Sequence, residues 1–225
     1  MEGIMKSLSA GIVLVALSFA ARLPLYGQPP DQEKLVFQNE FVRVFEVNLN
    51  PGVKLPIHET GERLIYSLSS YSLTYRWDGR TAEERRNVGD VHFHPAGKHA
   101  EENNGKQKAS FLIVERTSTP LPATEQVGID MAKASPFNTR VLFDRDLAKV
   151  FEVKLLPRDA VGMHHGLPRL VYALTPYDLL IKTPDGRAVT ESGKKGTCRW
   201  HPAGMHSVEN KTVAPTKLLV FGFKR

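Results

Sequence analysis

The stretch HPAGKHAEEN at residues 94–103 returns as HPAGMHSVEN at residues 201–210, with changes at only three positions. Both copies contain a Pro-x-Gly step followed by a histidine and, four residues later, an asparagine. Proline presets the backbone angle φ and glycine tolerates angles that other residues avoid, so this step predicts a tight turn. A long match between two places in one chain indicates a duplicated structural unit.

The similarity extends far upstream of this phrase. Residues 40–76, EFVRVFEVNLNPGVKLPIHETGERLIYSLSSYSLTYR, align without a gap with residues 146–182, DLAKVFEVKLLPRDAVGMHHGLPRLVYALTPYDLLIK. Both copies end on an apolar run, SFLIVER in the first and LLVFGFK in the second. The duplication predicts one domain at 28–117 and another at 140–225, joined by a Pro-, Ser- and Thr-rich linker at 118–139 in which a short helix can form.

Each copy has the pattern of an all-β domain. Segments such as VRVFEVNL and AKVFEVKL are short, β-branched and aromatic, and a proline follows each one. An Asp-Gly pair between apolar runs, at Asp78-Gly79 and Asp185-Gly186, is typical of a hairpin with a type I′ turn. No segment after the N-terminal region keeps a helical apolar period over three turns. The pattern therefore predicts β-sandwiches or small barrels.

The N-terminus has the layout of a secretory signal peptide, which we place at residues 1–27. Lys6 precedes an apolar run at residues 10–21, and small residues follow. That run is shorter than the roughly 20 residues of a spanning helix, so an uncleaved anchor is the less favoured alternative. The expected location is secreted or periplasmic. The single cysteine, Cys198, cannot form an intrachain disulfide and is interpreted as a buried small hydrophobe.

The distribution of charged residues indicates which kinds of partner the chain is expected to bind. The 225 residues carry a formal net charge of +6, but the lysines and arginines are scattered and mixed with acids, as in the run Glu83-Glu84-Arg85-Arg86. This distribution is typical of a solvated surface rather than a nucleic-acid patch. The expected partner is a small-molecule ligand, with no nucleic acid and no membrane after signal cleavage. The sequence leaves open whether the chain also forms a homo-oligomer.

The repeated phrase resembles a motif of a known family. GDVHFHPAGKHAEEN and GTCRWHPAGMHSVEN are similar to the second conserved motif of the cupin superfamily: Gly, five residues, Pro-x-Gly, then a His and an Asn. The matching positions are Gly89, Pro95, Gly97, His99 and Asn103 in the first copy, and Gly196, Pro202, Gly204, His206 and Asn210 in the second. One residue, where the family usually has two, separates Gly97 from His99. The resemblance implies a two-domain, bicupin-type protein made of two tandem jelly-roll β-barrels.

The first cupin motif is degenerate in both copies. The family pattern is Gly, five residues, His-x-His and then a Glu, and Gly52 and His58 fit its start. Thr60 stands where the second His belongs, and Arg63 stands near the position of the Glu. The second copy has His164 at the place of the first His, and Gly166 and Arg169 at the other two.

The resemblance implies a divalent metal site, because family members with all ligands hold Fe, Mn, Ni or Zn with three His and one Glu. A mixture of imidazole and carboxylate suits those metals. The retained candidate ligands are His58, His99, His164 and His206. Two imidazoles alone bind a metal weakly, so a third ligand is needed. Glu62 is the candidate for this ligand, or for an acid–base group, in the first copy. Hydrogen-bonded histidines that merely keep the fold are the alternative.

The two arginines allow a different site. If Arg63 and Arg169 point inward, they disfavour a cation and suit a carboxylate, phosphate or acidic sugar, with Tyr66 and Tyr172 as further contacts. If they point outward, they are solvated. Side chains alternate between the two faces of a strand, but this alternation does not show which face points inward, so both orientations remain open.

The same parity argument applies to the strand before the Pro-x-Gly turn. His92 and His94 share one face, and Val91 and Phe93 share the other. Packing of the apolar face into the sheet interior is favoured, which would put His94 and His201 outside the site. The reverse arrangement would make them additional ligands.

Three functions remain open from the sequence. The first is a metal-assisted small-molecule enzyme, exported and using the first barrel. The second is a non-catalytic module that binds a sugar or a small carboxylate. The third is an architectural protein with inert barrels. No nucleophile elbow, phosphate-binding glycine loop or Cys-x-x-Cys pair competes with these readings.

Overall fold

The computed structural model describes residues 32–123 and 128–224. The predicted signal peptide at residues 1–27 lies outside the described residues, so export remains a prediction. Among the described residues, helices are too short and too polar to cross a membrane.

The first repeat, as we call the strands up to residue 116, is entirely β. Its strands are β1 (Glu33–Gln38), β2 (Val42–Leu49), β3 (Lys54–Thr60), β4 (Arg63–Ser67), β5 (Tyr71–Trp77), β6 (Arg80–Arg86), β7 (Val91–His94), β8 (Gly97–Asn103) and β9 (Ala109–Arg116). They form a five-stranded sheet in the order β1-β2-β9-β4-β7 and a four-stranded sheet in the order β3-β8-β5-β6. Strand pairs are antiparallel throughout.

The second repeat copies this arrangement. A short helix, α1 (Met131–Ala134), precedes the strands β10 (Thr139–Asp144), β11 (Ala148–Leu155), β12 (Ala160–Gly166), β13 (Arg169–Ala173), β14 (Tyr177–Lys182), β15 (Ala188–Gly193), β16 (Cys198–His201), β17 (Gly204–Asn210) and β18 (Thr216–Phe223). Its sheets run β10-β11-β18-β13-β16 and β12-β17-β14-β15. Across the described strands no sheet closes on itself, so each repeat is a two-sheet jelly roll, and the all-β tandem architecture is confirmed.

The Asp-Gly turns differ between the repeats. Asp78 and Gly79 both have positive φ, 45° and 71°, and join β5 to β6 as the predicted type I′ hairpin. In the second repeat Gly186 has a φ of 84° but Asp185 does not enter this region. The second repeat has one more residue than the first in this loop, so its strands do not need a two-residue turn.

Each repeat is stabilised by two apolar cores, one between its own sheets and one shared with the other repeat. In the first repeat, side chains of β2 and β9 such as Val47, Leu49 and Phe111 fill the space between the two sheets. At one end of that space the inward positions become polar, because Arg43, Arg63 and Glu115 continue the inward faces of β2, β4 and β9.

A second apolar core joins the two repeats. The outward faces of the five-stranded sheets meet there and bury residues from both, including Leu64, Leu112, Leu170 and Phe221. Trp200 stacks on Phe41 of the first repeat, with ring centroids 5.2 Å apart. Both faces of each five-stranded sheet are therefore covered, which decides the orientation of several site residues.

Candidate functional site

A cluster of ionisable side chains lies between the two sheets of the first repeat. We call it the first-repeat cluster; its members are Glu33, His58, Arg63, Tyr75, Glu84, His92, His94, His99 and Glu101. These residues come from seven strands that only the fold brings together. Burying so many polar groups is costly unless they are paired, so their pairing describes the site.

The two motif histidines meet as the sequence predicts. His58 on β3 lies directly opposite His99 on β8, and their ring centroids are 4.4 Å apart. His58 Nδ1 lies 2.9 Å from the carbonyl oxygen of Pro56, so this nitrogen carries the proton and Nε2 faces the cluster. Glu33 Oε1 lies 3.7 Å from that Nε2.

Arg63 points inward and occupies the middle of the cluster. Its side chain is buried, with the residue 1% exposed, and its guanidinium donates to Thr60 Oγ1 and to the Tyr75 hydroxyl at 3.1 Å. It also donates to His99 Nε2 at 3.0 Å. That nitrogen is the one a metal would need, and the guanidinium lies where the cation would bind. The pair His58 and His99 therefore does not fit a metal ion.

The second repeat shows the same pairing. His164 and His206 lie opposite each other with ring centroids 4.2 Å apart, and Arg169 donates to His206 Nε2 at 3.0 Å. The spacing of the motifs thus predicts the meeting of the imidazoles correctly in both repeats. Here too a guanidinium lies against the second-motif histidine, in the place that a metal ion would take.

Three other predicted site residues lie elsewhere. Glu62 is exposed and sits next to Arg63 on the opposite face of the chain, so it does not reach the histidines, which corrects its expected role as ligand or acid–base group. Tyr66 and Tyr172 are buried in the core between the repeats. Their strands alternate faces, so the tyrosines point away from Arg63 and Arg169 and do not line the predicted sites.

The histidines before the Pro-x-Gly turn face the cluster, contrary to the favoured packing argument. His92 and His94 are buried, whereas Phe93 is 38% exposed and Val91 packs into the core between the repeats. The parity argument failed because this sheet is covered on both faces. On the apolar face of β7, Val91 packs against the other repeat and not inside its own.

Glu84, His92 and His94 form a compact triad. Their ligand atoms all lie within 4.8 Å of one another. Glu84 Oε2 lies 3.1 Å from His94 Nε2, and Oε1 lies 2.8 Å from His92 Nε2. Glu84 is thus the contact of His92 Nε2, and His92 Nδ1 is buried without a hydrogen-bond partner among the described residues. Two imidazoles and one carboxylate are a ligand set that suits Fe(II) or Zn, and this triad is compatible with a divalent metal.

Burial and pairing set the charges of the cluster. Burial raises the pKa of Glu33 to about 7, although the neighbouring His58 opposes the shift. Burial also acts to raise the pKa values of Glu101 and Glu84. His99 outweighs this effect at Glu101, and His92 and His94 outweigh it at Glu84, so both pKa values lie below the usual range. A site in which one carboxyl group has a raised pKa and others have lowered pKa values is typical of acid–base catalysis.

An open groove reaches the edge of the cluster. It has a volume of about 810 Å³ and is lined by Tyr75, Glu84 and His94 on the cluster side and by Trp77 and Lys98 on the outer side. The Tyr75 ring also stacks on His99, with centroids 4.8 Å apart. This size suits a small molecule that enters beside the triad.

Neither the motifs nor the charge pattern marks the acids of this cluster. Glu84 belongs to the Glu83-Glu84-Arg85-Arg86 run interpreted as surface, and Glu33 and Glu101 lie outside the positions that the motifs mark. One signal did exist in the comparison of the two copies. Equivalent strand positions hold Thr139 for Glu33 and Val208 for Glu101. Acids kept in only one copy point to a role specific to that copy.

Comparison with known proteins supports the fold. No family model matches the chain, and no curated protein matches its sequence. Oxalate decarboxylase from Bacillus subtilis superposes with a TM-score of 0.62 at 16% identity, over 85% of this chain and 72% of that one. AerE from Microcystis aeruginosa superposes with a TM-score of 0.60 at 14% identity, over 86% of this chain and 97% of that one. At this identity the likeness shows the fold alone, and it is the cupin-type fold that the repeated motif predicts.

Proposed function

We propose that the protein is a metal-assisted small-molecule enzyme whose active site lies in the first repeat, with Glu84, His92 and His94 as the metal ligands. The proposal rests on one observation. The ligand atoms of these residues converge within 4.8 Å, and no hydrogen bond holds Nε2 of the buried His92 among the described residues, although Glu84 lies 2.8 Å from it. A buried ring nitrogen without a hydrogen bond is costly, and a bound ion would coordinate it.

Side chains around the triad hold it in place. Arg86 Nε donates to Glu84 Oε1 at 3.2 Å, which orients the carboxylate toward the histidines. Such outer contacts fix the geometry of metal ligands. A divalent ion at this position would act as a Lewis acid or lower the pKa of a bound water.

The rest of the cluster supplies contacts and proton transfer. A substrate in the groove would meet Tyr75, whose hydroxyl accepts from Arg63 at 3.1 Å. Arg63 carries a fixed positive charge toward a carboxylate substrate. Glu33, with a pKa of about 7, is suited to move a proton near neutral pH, and it lies 3.7 Å from His58 Nε2.

A second function is favoured by the walls of the groove. Tyr75 and Trp77 stand side by side there, with ring centroids 5.2 Å apart. Aromatic faces next to charged side chains also suit a sugar or a small carboxylate that is bound without reaction. This alternative needs the groove but not the triad.

Elemental analysis of the purified protein, together with Co(II) absorption spectra, tests the proposal. We expect about one equivalent of divalent metal per chain, lost in His92→Arg, which places at position 92 the residue that the second repeat has at Arg199. His201→Ala is the matched control and should keep the metal. His58→Ala should keep it as well, because Arg63 already occupies the His58 and His99 pair.

Two results would count against the metal-assisted enzyme. Metal lost in His58→Ala but kept in His92→Arg would move the site to the motif histidines. A folded wild-type protein that takes up no divalent metal under any loading condition would leave the binding alternative.

A further inference from the structure

The second repeat contains a cavity of its own. It has a volume of about 230 Å³ and is lined by His164, Arg169 and Lys149, among others. An inner pocket of about 40 Å³ adjoins it and shares His164 and Arg169. Lys224 and Asp144 at its mouth are partly exposed, so the cavity opens to solvent.

Arg169 brings a buried positive charge into this cavity. The residue is 7% exposed, and its guanidinium donates to neutral groups: the carbonyl oxygen of Leu167 at 3.3 Å, that of Pro202 at 3.0 Å and His206 Nε2 at 3.0 Å. Burial lowers the pKa of Arg169 to about 10. The charge of Glu191 acts on Arg169, but no carboxylate among the described residues forms an ion pair with it, and a carboxylate ligand would stabilise the buried guanidinium.

The first repeat shows what is missing. There the charges of Glu33 and Glu101 interact with Arg63, and Glu115, directly opposite Arg63, pairs with Arg43. The equivalent positions of the second repeat hold the uncharged residues Thr139, Val208 and Gly222. Gly222 lies directly opposite Arg169, as Glu115 lies opposite Arg63. The second repeat therefore lacks these carboxylates near its arginine, and Gly222 lines the cavity together with Leu167.

The remaining acids near the cavity already have partners. Asp130 and Asp144 pair with Lys149, and Asp144 also pairs with Lys224, so the charges at the mouth largely cancel. Glu191 accepts a hydrogen bond from Tyr177 at 3.1 Å. Arg169 is therefore the group that would attract an anion into the interior.

His164 defines a second contact. It is 0% exposed, and its Nδ1 donates to the carbonyl oxygen of Gly162 at 2.8 Å. Nε2 then has a lone pair and is buried without a partner among the residues that the structure describes. An acceptor in this state is satisfied by a hydroxyl or amine donor of a ligand.

The inner pocket defines a third contact. Its walls are mainly aliphatic, with Val153, Val161, Leu179, Ile181 and Val208 among them. A space of about 40 Å³ accepts a group of one or two carbons but not a ring.

We infer that the second repeat binds a small 2-hydroxy carboxylate: the carboxylate accepts from Arg169, the hydroxyl donates to His164 Nε2, and a short alkyl group enters the inner pocket. This site is independent of the metal triad of the first repeat. A site built to bond a hydroxyl discriminates strongly against an analogue that lacks it, because the buried acceptor then stays unpaired.

Calorimetric titration of the full chain in the presence of EDTA tests the ligand class. We expect lactate to bind, and propionate and 2-methoxypropionate to bind about tenfold more weakly or worse, since the first lacks the hydroxyl and the second lacks its proton. Equal binding of lactate and propionate would overturn the inference. So would binding that requires metal and disappears with EDTA, or no binding of lactate at about 10 mM.

Matched variants locate the site. Arg169→Met should abolish lactate binding, whereas Arg187→Met, at an exposed position between β14 and β15, should leave it unchanged. Gly222→Glu places a carboxylate opposite Arg169 and should also abolish binding. Thermal unfolding confirms that each variant is folded; loss of binding in Arg187→Met, or unchanged binding in a folded Arg169→Met or Gly222→Glu, would contradict the assignment.

Discussion

At the scale of single residues, Glu33 makes stability depend on pH. Its pKa of about 7 in the folded protein lies above the ordinary 4.5, because burial disfavours the charged form. The resulting stabilisation is fully present below pH 4.5 and is lost as pH rises through 7, where the loss reaches about 3 kcal/mol. Glu33→Gln should remove this dependence and be more stable than wild type at pH 8, as measured by urea unfolding at pH 5 and pH 8.

The control for this prediction is Glu59→Gln, at an exposed position on β3. It should leave the difference between pH 5 and pH 8 as it is in the wild type. If Glu33→Gln shows the same loss of stability toward pH 8 as the wild type, Glu33 ionises normally and is not the proton-transfer group proposed here.

The sequence predicts some of these residues and not others for a physical reason. His58 and His99 were predictable because a repeated motif fixes their spacing along two strands. Glu33 and Glu84 were not, because strand periodicity gives two faces and does not say which is inside. In a sheet covered on both faces, even the apolar side of β7 proved a poor guide to the interior.

At the scale of elements, the motif asparagine closes the turn after β8 and β17. Asn210 is fully buried, and its side-chain nitrogen donates to the carbonyl oxygens of Leu155, Leu156 and Ala214 at 3.0–3.1 Å. Asn103 makes equivalent bonds to Leu49 and Gln107 in the first repeat. These bonds tie the turn to the end of β11 or β2, so the asparagine of the repeated phrase is structural.

Asn210→Ala should therefore destabilise the protein by about 3 kcal/mol, because it leaves several buried carbonyl groups without a donor. The free energy of unfolding in urea measures this. Asn104→Ala, at an exposed position beside the equivalent turn, is the control and should change stability by about 0.5 kcal/mol or less. A similar small effect for Asn210→Ala would mean that the turn does not depend on this side chain.

At the scale of the whole molecule, the two repeats share one interior and differ in chemistry. The core between them buries the outward faces of both five-stranded sheets. The duplication, the all-β class and the tandem arrangement were predictable from the sequence, because the same phrases recur in step. The buried interface was not, since nothing in the local pattern distinguishes an apolar face that meets its own second sheet from one that meets the other repeat.

This shared core predicts that the two repeats unfold together. The chain has two tryptophans, Trp77 in the first repeat and Trp200 at the interface. Trp200→Phe leaves Trp77 as the fluorescent probe, and Trp77→Phe leaves Trp200. In each variant the urea midpoint from tryptophan fluorescence should equal the midpoint from circular dichroism. Separate transitions in either variant would show that each repeat is stable without the other.

The central claim, that the first repeat holds a metal at a triad away from the motif histidines, is tested most directly by an anomalous difference map at the absorption edge of the metal in a loaded crystal. We expect one dominant peak about 2.0–2.2 Å from His92, His94 and Glu84. A peak between His58 and His99, or no peak in the first repeat of a fully loaded crystal, would contradict it.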